Sequence, residues 1–268
     1  MVGCRCGATP NPNAPRPRIV TFAPSLTDIV FDMGLGDHVV GVTTQCQLPP
    51  GQTRLAVGDA MSPPSTEAIL SARPDVILTQ VDPNQFQTVR KVNPSVRIEH
   101  FRIETLEDIS SAVERIGRIV GKEALGRQVA AAFRSRLEEV RWRVAGLPRP
   151  RVLFVMDYRN PSTAGEGTFI DQMIETAGGV NAAAEKLSSW QSLNQETILS
   201  LRPDVLVCWV GPNEEKAARD YWARSLPRVR VFVVTERDWT IPTPRLASYV
   251  ARLAEMIHPS AVAGGASP

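Results

Sequence analysis

The chain has 268 residues, enough for one large domain or two of modest size. Hydrophobic residues make up 43% and charged residues 22%, the balance of a folded globular protein, and no run approaches the roughly 18–20 apolar residues that a membrane helix needs. With 30 basic against 28 acidic residues the net charge is +2, and basic runs stay as short as Arg149–Arg151, which argues against a nucleic-acid-binding face.

Residues 1–17 are rich in Pro, Gly and Asn without apolar periodicity and predict a flexible tail, as do residues 258–268. Met1-Val2-Gly3-Cys4 is similar to the end of a bacterial lipoprotein signal, in which a small residue precedes the cysteine that receives lipid. Cys4 is therefore the candidate lipidation site, with the tail as a tether; the alternative is a short N-terminus carrying two incidental cysteines, Cys4 and Cys6. RIVTFAP (18–24) predicts a buried strand. Residues 25–36 follow with apolar positions at 26, 29, 30 and 33, a helix with Ser25 as its expected N-cap and Gly34 as its end. HVVGV (38–42) predicts a second strand. Ser65 caps a short helix that Arg73-Pro74 stops, and DVILTQ (75–80) is the next strand. This alternation argues for an α/β fold with a mostly parallel sheet.

Residues 104–146 contain no proline. Apolar positions at 106, 109, 113, 116, 119 and 120 form one helical face, Gly121 interrupts, and 125, 129, 132, 133, 137, 140 and 144 continue as a second helix. After Pro148 and Pro150 the α/β alternation restarts with RVLFVMDY (151–158). The restart copies the beginning. Pro15-Arg-Pro-Arg18 precedes the first strand, and Pro148-Arg-Pro-Arg151 precedes the strand after the long helix. EAILSARPDVILTQV (67–81) aligns with ETILSLRPDVLVCWV (196–210), with nine of fifteen positions identical. The expected organisation is a tail over 1–17, an α/β lobe over 18–104, a helical connector over 105–146, a second α/β lobe over 147–257 and a tail over 258–268. The fold class is α/β, two Rossmann-like lobes with mostly parallel central sheets joined by one long helix. Two such lobes would leave a ligand cleft at the carboxyl ends of their strands.

The chemistry-bearing motifs are few. No GxSxG elbow, phosphate-binding loop or HExxH helix occurs. The three histidines (His38, His100, His258) and four cysteines do not cluster as metal ligands, and Cys208, in an apolar run, reads as a buried free thiol. No catalytic residue and no resident cofactor is expected. The aromatic residues say more. Tyr158, Trp190, Trp209 and Trp239 fall at expected strand ends or in adjoining loops of the second lobe. Flat rings there could stack on a large, partly apolar ligand; filling of the core is the alternative for each. Trp142 and Trp222 sit in charged helices and read as packing residues.

RIVTFAPSLTDIVFDMGLGDHVVGV, the paired TEAILSARPDVIL and QETILSLRPDVLV segments, SSWQSLNQETIL and DWTIPTPR (238–245) together resemble the solute-binding proteins of bacterial ABC importers with a rigid helix between their lobes. That class carries vitamin B12, haem and ferric siderophores, and the resemblance is nearest to its corrinoid branch and covers about residues 18–257. It implies a monomeric, extracytoplasmic, non-enzymatic protein that captures a corrinoid and delivers it to a permease dimer with its ATPase. It places Trp190, Trp209, Trp239 and Tyr158 on one side of the ligand and Gln45, Met61 and Gln80 on the other. The B12-binding branch carries aromatic residues at the last three positions, so this chain departs from it there. The resemblance also makes Glu67 and Glu196, equivalent in the repeat, the contacts to the permease; stabilisation of a helix N-terminus by each carboxylate is the local alternative. Haem, a ferric siderophore, and a cytoplasmic corrinoid-handling role on the same fold are the alternatives.

Overall fold

The computed structural model describes residues 16–259; Cys4, Cys6 and both expected tails up to residue 15 and from 260 lie outside them. The chain divides into two compact units, one up to Phe101 with Val113–Gln128, the other Arg102–Ala112 with Val129 onward.

The first unit contains β1 (Ile19–Phe22), α1 (Pro24–Asp32), β2 (Val39–Val42), β3 (Leu55–Ala56), α2 (Thr66–Ser71), β4 (Val76–Thr79), α3 (Gln87–Val92) and β5 (Arg97–His100). Its sheet runs β3-β2-β1-β4-β5, with every pair parallel. All four residues of β1 and of β4 are buried, Thr21 and Thr79 included, because a central parallel strand has no solvent face. Phe22, Val57, Ile69, Ile77 and Phe86 form the core there. One expected cap is corrected. Helix α1 starts after Ala23 with Pro24 in its first turn and no side-chain cap, and Ser25 is inside the helix. Proline already supplies the pre-set φ of a helix start, so the Ser25 hydroxyl is free to bond elsewhere.

The proline-free middle forms two helices, α4 (Leu106–Ile119) and α5 (Glu123–Val144), broken at Gly121, whose φ is +70°. The division between the units passes through both. A Cβ on Gly117 would stand 2.9 Å from the Gly126 Cα, so glycine lets the end of α4 meet the start of α5. The buried stripe of α5 is Ala130, Phe133, Leu137 and Val140; Ala132, expected on it, is exposed. Trp142, expected to pack, is 81% exposed, because it lies on the side of the helix away from that stripe.

The second unit adds β6 (Arg151–Met156), β7 (Ser162–Ala164), α6 (Phe169–Thr176), β8 (Val180–Asn181), β9 (Trp190–Ser192), α7 (Gln195–Leu201), β10 (Val205–Trp209), α8 (Glu215–Ser225), β11 (Arg230–Val234) and α9 (Leu246–Ile257). Its sheet runs β11-β10-β6-β7-β9, with β8 also paired to β6. Strands β6, β8, β10 and β11 are parallel; β7 and β9 are antiparallel additions at one edge.

The sequence repeat has a mechanical meaning. In the first unit the Arg18 N–H donates to Asp75 Oδ2 at 2.8 Å, and the Arg18 guanidinium donates to the carbonyls of Ala72 and Arg73 at the end of α2. In the second, the Arg151 N–H donates to Asp204 Oδ2 at 2.8 Å and its guanidinium to the Leu201 carbonyl at the end of α7. Arg73 and Arg202 both take left-handed backbone, φ 48° and 47°, where a helix end usually recruits glycine. PRPR and RPDV are thus two halves of one clamp, built twice: a strand-opening arginine satisfies helix carbonyls, and an aspartate satisfies the strand's first N–H.

Candidate functional site

In the first unit, Gln45, Met61 and Gln80 lie on the segments that follow the carboxyl ends of β2, β3 and β4, so the parallel sheet brings all three expected residues to one edge. Ser25 Oγ donates to Gln80 Oε1 at 2.7 Å, which orients the amide. Gln45 Oε1 accepts the Ala60 N–H at 3.1 Å and ties the loop after β2 to the loop after β3. Asp59 Oδ1 accepts the Met61 N–H at 2.7 Å, and the Met61 side chain is 92% exposed at the tip of that turn. Cys46 stands beside Gln45 with its sulfur 3.0 Å from Thr27 Oγ1 and 3.2 Å from Thr43 Oγ1. This edge is polar, with one flexible apolar side chain, and offers no aromatic wall.

In the second unit, the four expected aromatic residues part company. Trp209 ends β10, is half-buried and donates its indole N–H to the Glu236 carbonyl at 3.0 Å. Trp190 opens β9, is 42% exposed and leans on Phe169 with ring centroids 5.9 Å apart. These two present ring surface. Trp239 does not: its side chain is fully buried between Phe154 and Tyr249, and its N–H donates to Glu236 Oε2 at 3.3 Å. Tyr158 is buried too, 5.7 Å from the Tyr221 ring with the Arg159 guanidinium over it. For Trp239 and Tyr158 the burial agrees with the core-filling alternative, since each ring packs on aromatic partners inside the unit.

The residues that the sequence reading missed are the supports. Phe169 backs Trp190 and Ser25 holds Gln80, and Glu236 holds two tryptophans at once. Glu236 also pairs with Arg252, and that guanidinium holds its carboxyl below the usual glutamate range. Only its place two residues before DWTIPTPR could have drawn attention to it in the sequence. Cys208, in β10, is buried as expected, and burial pushes its thiol up to about 12, so it is chemically quiet. Among the described residues no group of three or more His, Cys, Asp and Glu side chains could hold a metal ion, and no helix is long and apolar enough to cross a membrane.

Glu67 and Glu196 lie in the first turns of α2 and α7, as the repeat implies. Both helices have the expected caps: Ser65 Oγ accepts the Ala68 N–H at 3.3 Å, and Asn194 Oδ1 accepts the Thr197 N–H at 2.8 Å. Both glutamates are exposed, and neither has an ion-pair partner among the described residues. A groove of about 750 Å³ among α4, α5 and α6 is lined by Arg134, Arg141 and Arg149, offset by Glu107, Glu138 and Glu175. Arg134 pairs with Glu107 and Arg141 with Glu138, so this groove carries little net attraction for an ion.

The sequence profile of the family described as Periplasmic binding protein matches residues 19–220. The Cobalamin-binding protein of Halobacterium salinarum is 30% identical over 257 residues, 90% of this chain and 69% of that protein. An ABC transporter substrate-binding lipoprotein of Bacillus subtilis, YvrC, is 27% identical over 255 residues, 90% of this chain and 80% of its own length. Among solved structures, the haem-binding protein RhuT of Roseiflexus sp. RS-1 superposes with a TM-score of 0.77 at 24% identity, covering 92% of this chain and all of that one. The vitamin B12-binding protein BtuF of Vibrio cholerae gives the same TM-score at 22% identity, covering 91% and 97%. At those identities the structural likeness speaks for the fold. A profile that runs from the first strand into α8, over two α/β units built on one repeated plan, makes this chain a member of the periplasmic binding protein family.

Proposed function

We propose that this chain is the extracytoplasmic solute-binding component of an ABC importer, that it is not an enzyme, and that its solute is a corrinoid. The observation that carries the corrinoid reading is two accessible indole rings in the second unit, Trp190 at the start of the edge strand β9 and Trp209 at the carboxyl end of β10. Flat rings suit a flat macrocycle with apolar edges. The 30%-identical relative from Halobacterium salinarum, named as cobalamin-binding, supports the same choice. Gln45, Gln80 and Met61 supply amide and thioether contacts. Their amides match the amide fringe of a corrinoid better than the carboxylates of haem, which would call for cations there. Haem is the second reading, since haem-binding structures share the fold. The buried Tyr158 is then the wrong place to seek an iron ligand. Absorbance titration with cyanocobalamin, dicyanocobinamide and haemin separates the two. A saturable, one-to-one spectral change with a corrinoid supports the proposal; saturation by haemin alone sinks it.

Delivery needs a partner. Two exposed carboxylates at equivalent sites, without ion-pair partners among the described residues, suit a permease of two like subunits, each offering a cation. The E67A/E196A double variant should bind corrinoid as the parent does, yet lose complex formation with the permease. If complex formation persists and only the melting temperature falls, the carboxylates serve the helix N-termini and nothing more.

A further inference from the structure

We propose that Glu236 is a positioning residue: through its backbone carbonyl and its carboxylate it fixes the stance of the Trp209 ring. The proposal rests on the reading of Trp209 as a ligand-stacking surface.

A tryptophan at a strand end has several staggered rotamers open to it. Trp209 is held by one directional contact, its N–H on the Glu236 carbonyl at 3.0 Å. That carbonyl belongs to the segment between β11 and the 3₁₀ turn Arg237–Trp239, where loose backbone would be expected. It is held on both sides. The same carbonyl accepts the Trp239 backbone N–H at 3.3 Å. The side chain reaches back in two directions. Oε2 accepts the Trp239 indole N–H at 3.3 Å, and Oε1 accepts from the Arg252 guanidinium on α9. Trp239 itself is anchored in the core, and Arg252 also lies 5.7 Å over its ring. The chain of support runs from α9 and the core, through the Glu236 carboxylate, to its carbonyl and then to the Trp209 ring.

The Arg252–Glu236 pair is a poor candidate for a purely stabilising role. The two side chains are 45% and 42% exposed, and exposed ion pairs contribute little to stability. What the pair does change is the freedom of a ring that a ligand would need ordered. Ordering that ring before the ligand arrives removes an entropy cost from binding.

The test uses the full chain in both ligand-free and ligand-bound form. The five tryptophans give five indole signals in a ¹⁵N–¹H spectrum, and W209F assigns the one of interest. In ligand-free E236A the Trp209 indole signal should shift and its N–H should exchange faster. Affinity for dicyanocobinamide should fall about three- to tenfold, the scale for one newly mobile side chain. E236Q, which keeps the reach of the side chain and one acceptor oxygen, should recover most of that loss. In a W209A background, E236A should have no further effect on affinity. An unchanged Trp209 signal and exchange rate in E236A would overturn the proposal, as would an equal loss of affinity with and without Trp209. If the parent binds no corrinoid, the proposed function fails, and the ligand-free spectra decide the positioning claim alone.

Discussion

Gly165→Ala is the most informative single change outside the ring residues. Gly165 follows β7, and its backbone is not left-handed, so conformational freedom is not the reason for glycine there. Space is. A Cβ on Gly165 would stand 2.1 Å from the Leu187 carbonyl oxygen and 3.0 Å from the Ser188 nitrogen. An ordinary contact needs about 1 Å more, so the segment before β9 must move away by that amount. Three hydrogen bonds cross this gap, and the two shorter are Gly165 N–H to the Ser189 carbonyl at 2.7 Å and Glu166 N–H to the Leu187 carbonyl at 2.9 Å. Losing the two shorter ones costs about 1–3 kcal/mol, which in a chain of this size is a melting-point drop of roughly 3–10 °C. Trp190 is the residue directly after Ser189, which already holds a left-handed φ of 60°. The ring should therefore leave its place against Phe169 and corrinoid affinity should weaken along with stability. Calorimetric unfolding and a corrinoid titration of the same preparation measure both. A G165A protein with the parent's melting point and the parent's affinity would refute the reasoning.

Other outcomes follow from the same geometry. Asp75→Ala and Asp204→Ala each remove the acceptor for a strand-opening N–H, and each should cost about 1–2 kcal/mol in urea unfolding; a large cost from one and none from the other would show that the two clamps are not equivalent. Under native conditions a thiol reagent should modify Cys46 well before Cys208, whose thiol burial holds at about 12; peptide mapping reads the order, and early labelling of Cys208 would contradict its burial. The Glu236 carboxyl, held low first of all by its hydrogen bond to Arg252, contributes stability above the ordinary glutamate range and loses it as pH falls through the depressed value. The stability gap between the parent and E236Q should thus narrow between neutral and acidic pH, and a gap independent of pH would remove the charge from the account.

Local patterns carried much of the fold. The Ser65 and Asn194 caps, the break at Gly121 and the two α/β units follow from residues close in sequence, where periodicity and capping chemistry act. The repeat was legible as text, but its cause was not, since the Arg18–Asp75 and Arg151–Asp204 bonds span 57 and 53 positions. Ser25 was misread for a related reason: Pro24 had already opened the helix, and the hydroxyl answers to Gln80, 55 positions away. Trp142 could have been placed correctly, because its position falls opposite the stripe of Phe133, Leu137 and Val140. Trp190 and Trp239 could not have been separated by sequence. Trp190 opens a strand and Trp239 follows one; what sets them apart is the close crossing at Gly165 beside the first and the aromatic pocket of Phe154 and Tyr249 around the second.

Titration calorimetry of dicyanocobinamide into the parent chain and into the W190A/W209A variant tests the central claim most directly. The account predicts one site per chain in the parent and a loss of about 2–4 kcal/mol in the double variant, with folding retained in circular dichroism, since each well-packed aromatic is worth about 1–3 kcal/mol and neighbouring losses overlap. Equal affinity in both proteins, or no heat of binding from the folded parent, would contradict it.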